Sequence, residues 1–282
     1  MAVDLIDYLS SESDSPRLWV NFNEYAKKLL LGHDANPWAA PAAYLAYYTQ
    51  AHALVKADVV VVDVWDLFHH WMEEDEKAVP SMAEKSRATF ASKILLEAYA
   101  PRELLAEVLT ALNDNYGDSV PIVLVIPSPK SLLVKAHKSA TNKDLQPDEM
   151  AIDTASMYMA DFLRYFSETN LSGVLLVEDD ALMPANNTEL SWYQPVINVA
   201  KHYRWPVGVQ LPFKNDGFSA PSEIDFTIIP EQSAASAESF GVDISQSLWT
   251  TGSTQKLSNF AYLSIPVDVN PEKVLETLST LK

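Results

Sequence analysis

The sequence predicts an α/β protein that folds as a (β/α)8 barrel, that is, a TIM barrel. Eight short apolar runs are spread over the 282 residues, each closed by a stretch of helical character, and polar residues cluster where the runs stop. Solid valine and leucine runs such as 59–62 and 174–177 are typical of parallel strands buried on both faces. Eight such units in one chain predict a barrel whose chemistry lies at the carboxyl ends of the strands.

The strands are predicted from these runs and from the residues that end them. Pro127 ends the third run because proline cannot donate a hydrogen bond to a sheet. The predicted strands span residues 18–23, 58–64, 121–126, 174–177, 207–211, 226–229, 242–247 and 262–265.

The helices are predicted from the stretches between the runs. Pro101 and Pro271 suit a first helical position, and Asn270 is the predicted N-cap of the last helix. The predicted helices span residues 42–56, 66–74, 81–99, 101–115, 148–169, 190–203 and 271–281.

Composition limits the class of protein. We predict one domain over residues 1–282, with an N-terminal extension at 1–16, because the chain is long enough to bury one large core. It has no apolar run of membrane-spanning length and no secretory signal, so we expect a cytoplasmic protein that does not bind membranes. A net charge of −18 argues against nucleic acid as a partner. The expected partner is a small-molecule substrate, and the sequence does not predict an oligomeric state.

The sequence lacks the residues that several kinds of active site need. The chain has no cysteine, which excludes disulfides, thiolate zinc sites and cysteine nucleophiles. The glycine-rich fingerprints of dinucleotide and P-loop sites are also absent. We therefore expect no organic cofactor.

The C-terminal half, from about residue 148, resembles the superfamily of uroporphyrinogen decarboxylase and cobalamin-independent methionine synthase barrels. The segments that carry the resemblance are 172–179 (SGVLLVED), 199–207 (VAKHYRWPV), 240–243 (FGVD) and 266–274 (PVDVNPEKV). The resemblance implies a barrel enzyme. In the zinc methyltransferases of this superfamily a histidine and cysteines hold the metal, and that site cannot be built here. The decarboxylases bind a carboxylated tetrapyrrole through arginines near the start of the barrel, where this chain has only Arg17. A relative with different chemistry is therefore expected.

Polar residues interrupt three of the predicted strands. Alternation puts the polar positions of each strand on one face. An unpaired buried polar group costs about 1–3 kcal/mol, so we expect these side chains to bind one another or a ligand. A layer of internal hydrogen bonds is the alternative to a substrate site. The residues on these faces are Asn21, Asn23, Asp63, Trp65, Asp243 and Ser245.

The acidic cluster Glu178-Asp179-Asp180 follows the fourth run. Alternation puts Glu178 and Asp179 on opposite faces, so at most one or two of the three acids reach the mouth. Such a carboxylate can serve as general acid or base. Together with Asp63 or Asp243 it can instead hold Mg²⁺ or Mn²⁺, which prefer oxygen ligands. The alternative is a helix cap and solvated loop acids.

The remaining candidates also follow strands. His69 has i,i+4 spacing to Glu73, which suits proton transfer. Lys130 and Lys214 are placed to clamp an anionic group, or to form a Schiff base if desolvated. Gln210 lies near the end of the fifth predicted strand and is expected to orient the substrate.

These features lead to one leading hypothesis and two alternatives. The first is a cofactor-independent acid–base enzyme, a lyase acting on a small, largely apolar or aromatic substrate. Asp63, Glu178, Asp179 and His69 are its predicted catalytic residues. The second is methyl transfer to or from a corrinoid or thiol partner without a thiolate zinc site. The third is a non-catalytic barrel that binds a ligand or partner. Its sign would be an acid cluster that points away from the barrel mouth, with no cavity at the mouth.

Overall fold

The structure, a computed structural model, describes residues 2–11, 16–32, 36–117, 119–179, 187–212, 222–231, 240–252, 254 and 260–281. Eight parallel strands form one sheet in the order β1-β8-β7-β6-β5-β4-β3-β2. The strands are β1 Arg17–Asn21, β2 Val60–Asp63, β3 Ile122–Pro127, β4 Gly173–Val177, β5 Val207–Gln210, β6 Phe226–Pro230, β7 Phe240–Asp243 and β8 Phe260–Ser264. The predicted α/β TIM barrel is confirmed, and each strand overlaps its predicted range.

Helices surround the sheet in the described parts of the chain. They are α1 Leu5–Ser10, α2 Asn23–Leu30, α3 Pro41–Val55, α4 Val64–Glu74, α5 Ala78–Met82, α6 Phe90–Glu97, α7 Tyr99–Tyr116, α8 Pro129–Thr141, α9 Glu149–Arg164, α10 Asn187–Ser191, α11 Gln194–His202, α12 Ser245–Thr251 and α13 Pro271–Ser279. Among the described residues, no helix is both long and apolar enough to cross a membrane.

The barrel is closed at β1 and β2 by side chains as well as by backbone. The backbone N–H of Asp58 donates to the carbonyl oxygen of Leu18 at 2.9 Å. The Asp58 carboxylate in turn accepts from the N–H of Leu18 at 2.7 Å. Further along the seam, the N–H of Val61 donates to the hydroxyl of Tyr48 in α3 at 2.7 Å. Helix α3 therefore supplies a hydrogen-bond partner that a neighbouring strand would normally provide.

The lumen of the barrel is filled by side chains rather than open. Its aromatic core consists of Trp19, Phe226, Phe260 and Tyr262, with ring centroids about 6 Å apart between Trp19 and each phenylalanine. Helix α1 belongs to the same cluster, because its Leu5 and Leu9 are buried against it. The predicted N-terminal extension thus contributes a helix to the barrel core.

Two strand glycines make room for these rings. Gly208 is in register with Phe226, and a β-carbon on Gly208 would overlap the Phe226 ring. A β-carbon on Gly241 would overlap the ring of Phe260 in the same way. Both positions need glycine because an aromatic side chain from the neighbouring strand lies against the backbone.

Helix caps shift several predicted boundaries. The Asp63 carboxylate accepts from the N–H groups of Trp65 at 2.8 Å and Asp66 at 3.3 Å, so β2 ends there and α4 begins at Val64. The Asp63/Trp65 alternation predicted for one strand was therefore wrong. The predicted strand faces carrying Asn23 and Ser245 were wrong too, since these residues open α2 and α12.

Other helices differ from the prediction, and the predicted helix 190–203 falls on both α10 and α11. The predicted helix 81–99 is divided into α5 and α6, and α8 was missed. Ser128 caps α8 by accepting from the N–H of Ser131 at 3.1 Å, with Pro129 in its first turn. The predicted cap of the last helix is confirmed, because Asn270 accepts from the N–H of Glu272 at 2.8 Å.

Candidate active site

Four polar side chains lie at the carboxyl rim of the barrel. Asn21, Asp63, Gln210 and Asp243 are each the last residue of their strand. In each of these strands, β1, β2, β5 and β7, the residue two positions earlier faces the lumen. Alternation therefore puts these four side chains on the lumen side as well. The rim therefore brings together two carboxyl groups and two amides that are far apart in sequence.

Tyr262 in β8 joins this group from below the rim. Its Cα is in register with those of Trp19 and Asp243, and its side chain is buried. The pKa of Tyr262 is raised to about 12, mainly by burial and also by the charges of Asp243 and Asp63. The amide side chains of Asn21 and Gln210 lower the pKa of Tyr262. The phenol therefore stays protonated at neutral pH. We call Asn21, Asp63, Gln210, Asp243 and Tyr262 the rim cluster.

Asp63 is a carboxyl group of the rim cluster whose pKa is raised well above its ordinary value. The pKa of Asp63 is raised to about 6, mainly by burial and also by the nearby Asp66 carboxylate. The N–H groups at the start of α4 and the Lys27 ammonium lower it. Asp66 itself pairs with Lys27 and accepts from the indole N–H of Trp38 at 2.7 Å. Asp66 is thus held by Lys27 and Trp38, whereas Asp63 caps α4 from the lumen side of β2.

Asp243 is held by the start of α12. Its Oδ1 accepts from the backbone N–H of Ser245 at 2.9 Å and from the Ser245 hydroxyl at 2.5 Å. The Ser245 hydroxyl oxygen also accepts from the N–H of Ser264 at 2.8 Å. Ser245 therefore links the ends of β7 and β8 and fixes the Asp243 carboxylate.

The rim cluster has apolar neighbours on the lumen side. Val125 is in register with Asp63, and Val177 is in register with Gln210. Both valines pack against the lumen core and keep partial exposure. The described part of the mouth therefore combines acids, amides and a phenol with an apolar surface.

Glu178 does not reach the lumen, although it was predicted as a catalytic residue of the mouth. It follows the lumen-facing Val177, so it points outwards between the sheet and the helices, where it is 3% exposed. Its carboxylate accepts from Ser128 at 2.8 Å, from Ser131 at 3.2 Å and from Tyr193 at 2.7 Å. Burial raises the pKa of Glu178. We call Ser128, Ser131, Glu178 and Tyr193 the outer buried cluster.

Asp179 and Trp65 lie near one lysine of α8. The Lys135 ammonium is 3.5 Å from the Asp179 carboxylate and 5.4 Å from the centre of a Trp65 ring. The backbone N–H of Asp179 donates to Ser131 at 2.9 Å. These contacts tie the end of β4 to α8 and α4.

The other predicted site residues are separate from the rim cluster. Lys130 is buried and its ammonium lies 2.8 Å from Glu189, so its charge is already matched. His69 is exposed on α4 and contacts Glu73 at 3.4 Å. The carbonyl of Asn23 accepts from Tyr47 at 3.0 Å. Lys214, predicted to bind substrate, and Asp180 of the acidic cluster lie outside the described residues.

The predicted Mg²⁺ or Mn²⁺ site combined Asp63 or Asp243 with the acids after β4. Glu178 and Asp63 point to opposite sides of the sheet. In the parts of the chain that the structure describes, no three His, Asp or Glu side chains are grouped for metal binding.

The sequence interpretation missed two important groups. Tyr262 was in a predicted strand, and its alternation with Ser264 was the available signal. The outer buried cluster had a weaker signal, the Ser-x-x-Ser spacing of residues 128 and 131 at a helix start.

Comparisons with known proteins add information about the fold. No protein-family model matches the chain, and no curated protein matches it. A solved methyltransferase from Methanosarcina mazei is 12% identical, with a TM-score of 0.59 over 99% of this chain and 96% of the other. A putative vitamin-B12-independent methionine synthase from Listeria monocytogenes is 11% identical, with a TM-score of 0.49 over 100% and 96% of the two chains. The first likeness shows a shared barrel fold along the chain.

Proposed function

We propose that this barrel is an enzyme that transfers a methyl group from a small, largely apolar compound to a thiol or corrinoid partner. The substrate binds at the carboxyl rim, and Asp63 supplies the proton. The observation that carries the proposal is a lumen-facing carboxyl group with a pKa of about 6 beside apolar Val125. The fold shared with a solved methyltransferase supports methyl transfer, and no observation favours the lyase reaction predicted from sequence over it.

The proposed reaction needs an acid at the departing atom. A donor R–X–CH₃, with X a heteroatom, loses its methyl group to a thiolate R′S⁻. The X–CH₃ bond breaks, an S–CH₃ bond forms, and X would leave as an anion. Protonated Asp63 gives its proton to X and becomes a carboxylate, which is protonated again by solvent. A catalytic acid is most effective when its pKa lies near the working pH.

The test uses donors with a deuterated methyl group. Methyl ethers, methyl thioethers and methylamines are incubated with the protein and mercaptoethanol, and transfer to the thiol is followed by mass spectrometry. We expect D63N to lower turnover by about 10²–10⁴-fold, the range for loss of an acid–base group. D225N is the control, because Asp225 accepts from the N–H of Val207 at the opposite end of the barrel, at 2.8 Å. Full turnover in D63N would overturn the proposed role of Asp63.

The pH dependence adds an independent test. As the acid, Asp63 must be protonated, so kcat/KM is expected to fall as the pH rises through about 6. A rate that rises over the same range would assign Asp63 as a base instead. If the wild type transfers no methyl group but releases carbon dioxide or an elimination product, the lyase reaction is favoured.

One observation supports a second candidate, the non-catalytic barrel. Glu178, the first residue of the acidic cluster, points away from the lumen. This function predicts ligand binding at the rim with no turnover of any donor in the panel. Equilibrium binding with zero product in the same samples would favour it over methyl transfer.

A further inference from the structure

A small apolar groove lies on the outside of the barrel, between α2, α3 and α13. Its volume is about 80 Å³, and its floor is formed by buried residues such as Ala51 and Val274. Leu29, Leu54 and Leu275 line it and are 41%, 43% and 52% exposed. We call this feature the outer groove. Its residues come from helices on the outside of the sheet, so it is separate from the rim cluster.

The leucines of the outer groove are unusual in this chain. In the part of the chain that the structure describes, all three exposed leucines line this one groove. Val267, 40% exposed, lies in the loop before α13. Single apolar side chains on a surface are common, but several around one groove mark a site of interaction. The outer groove is therefore a candidate docking surface.

The segments around the outer groove have no net charge. Residues 23–31, 41–56 and 266–279 contain four basic and four acidic side chains. The whole chain has a net charge of −18, so the remainder of the chain carries all of the excess negative charge. Two copies of the chain repel one another through that remainder. The face with the outer groove is where two copies meet with the least repulsion, and its charges of both signs can pair across a twofold axis.

We propose that the outer groove is the interface of a homodimer, in which exposed leucines of each copy pack into the groove of the other. A twofold interface uses the same patch on both copies, so that patch must contain both the groove and the side chains that fill it. The outer groove meets this requirement, because its leucines are at its own rim. A basic partner would instead be attracted to the acidic remainder of the surface. The inference does not depend on methyl transfer.

The first test measures mass by sedimentation equilibrium. The wild type is expected to change from one chain to two as its concentration rises from about 1 to 100 µM, the range of weak association. L275E should raise the dissociation constant by about 10²-fold, because it puts a charge into an apolar interface twice per dimer. M157E is the matched control, since Met157 is 46% exposed on α9. A monomeric wild type, or a dimer that tolerates L275E, overturns the inference. L54E gives the same test from α3 if L275E does not fold.

The second test concerns the charge balance and leaves the leucines in place. Lys28 joins α2 to the loop before α13 by pairing with Asp268, and its side chain is 53% exposed. Lys138 on α8 pairs with Asp144 in the same way and is 50% exposed. K28E makes the neutral face negative in both copies, so it should weaken the dimer by about tenfold at low salt and by less at high salt. An equal effect of K138E would contradict the proposed interface.

The third test locates the interface directly. The chain has no cysteine, so single spin labels can be attached through K273C on α13 and through K138C on α8. We expect a shorter distance between the two labels of a dimer for K273C than for K138C. The reverse order would place the interface on another face and overturn the inference. A wild type that stays monomeric would leave the outer groove to a different protein.

Discussion

The hydroxyl of Tyr193 donates a 2.7 Å hydrogen bond to the carboxylate of Glu178 on the outside of the barrel wall. Both side chains are buried. Ser128 and Ser131 donate to the other carboxylate oxygen, so one acid organises the end of β4, the start of α8 and the start of α11. Glu178 directly follows a barrel strand, but its hydrogen bonds give it a structural role.

The outer buried cluster is expected to control stability rather than turnover. Y193F should lower the free energy of unfolding by about 1–3 kcal/mol, because it removes a hydrogen bond to a buried acid. E178A should cost about 3 kcal/mol or more, since it leaves three hydroxyl groups without their acceptor. Urea unfolding measures both. Turnover of E178Q is expected to stay at the wild-type level, and a large loss of kcat without unfolding would return Glu178 to the catalytic site.

Asp63 is expected to make stability depend on pH. Its pKa is about 6 in the folded protein and about 3.9 in an unfolded chain. A raised pKa means that the folded state binds the proton more tightly, so this contribution is present below about pH 4 and is lost as the pH rises through 6. D63N, which keeps a good N-cap residue, should therefore gain stability relative to wild type between pH 4 and pH 7.

The gain of D63N is expected to be at most about 3 kcal/mol, because each unit of pKa shift corresponds to about 1.4 kcal/mol. Urea unfolding of both proteins at pH 5 and pH 8 measures the difference. D225N, at the other end of the barrel, is the control. If the difference in unfolding free energy between D63N and wild type does not change with pH, the pKa of Asp63 is not raised by folding and the prediction is wrong.

The contact between Gly208 and Phe226 predicts a compensating pair of substitutions. G208A alone should destabilise the protein by about 1–3 kcal/mol or more, because the added methyl group meets the Phe226 ring. F226L leaves space at the same place, so G208A should cost less in the F226L background. Thermal unfolding of the two single variants and the double variant measures the coupling. Strictly additive costs would contradict the contact.

The hydroxyl of Tyr48 is expected to protect the seam between β1 and β2. Y48F removes the acceptor of the Val61 N–H and should cost about 1–3 kcal/mol. Hydrogen exchange gives the more specific measurement, because the Val61 amide should lose protection while the amides of β4 keep theirs. Unchanged exchange at Val61 would mean that another group closes the seam.

The barrel itself could be predicted because apolar runs and their spacing carry the signal. Strands such as β2 and β4 are buried on both faces, and a run that is apolar on both faces is typical of parallel strands. The cap of α13 was predictable for a similar local reason, since Asn270 and Pro271 act within one helical turn.

The functional side chains were harder to predict from the same runs. A strand that is apolar on both faces has no polarity difference to mark its lumen side, so Glu178 and Val177 could not be assigned to a side. The strand ends were equally hidden, because Asp63 ends β2 by capping α4 and thereby removes Trp65 from the strand. Lys130 became a buried partner of Glu189 only through packing of distant helices.

The sequence by itself thus determined the fold class, the eight strand positions and several acids near their carboxyl ends, since these depend on local composition and periodicity. Only the tertiary structure decided which of those acids face the lumen. It also brought Tyr262 together with Asn21 and Gln210. The physical reason is that contacts between residues far apart in the chain decide which face of each strand points into the lumen.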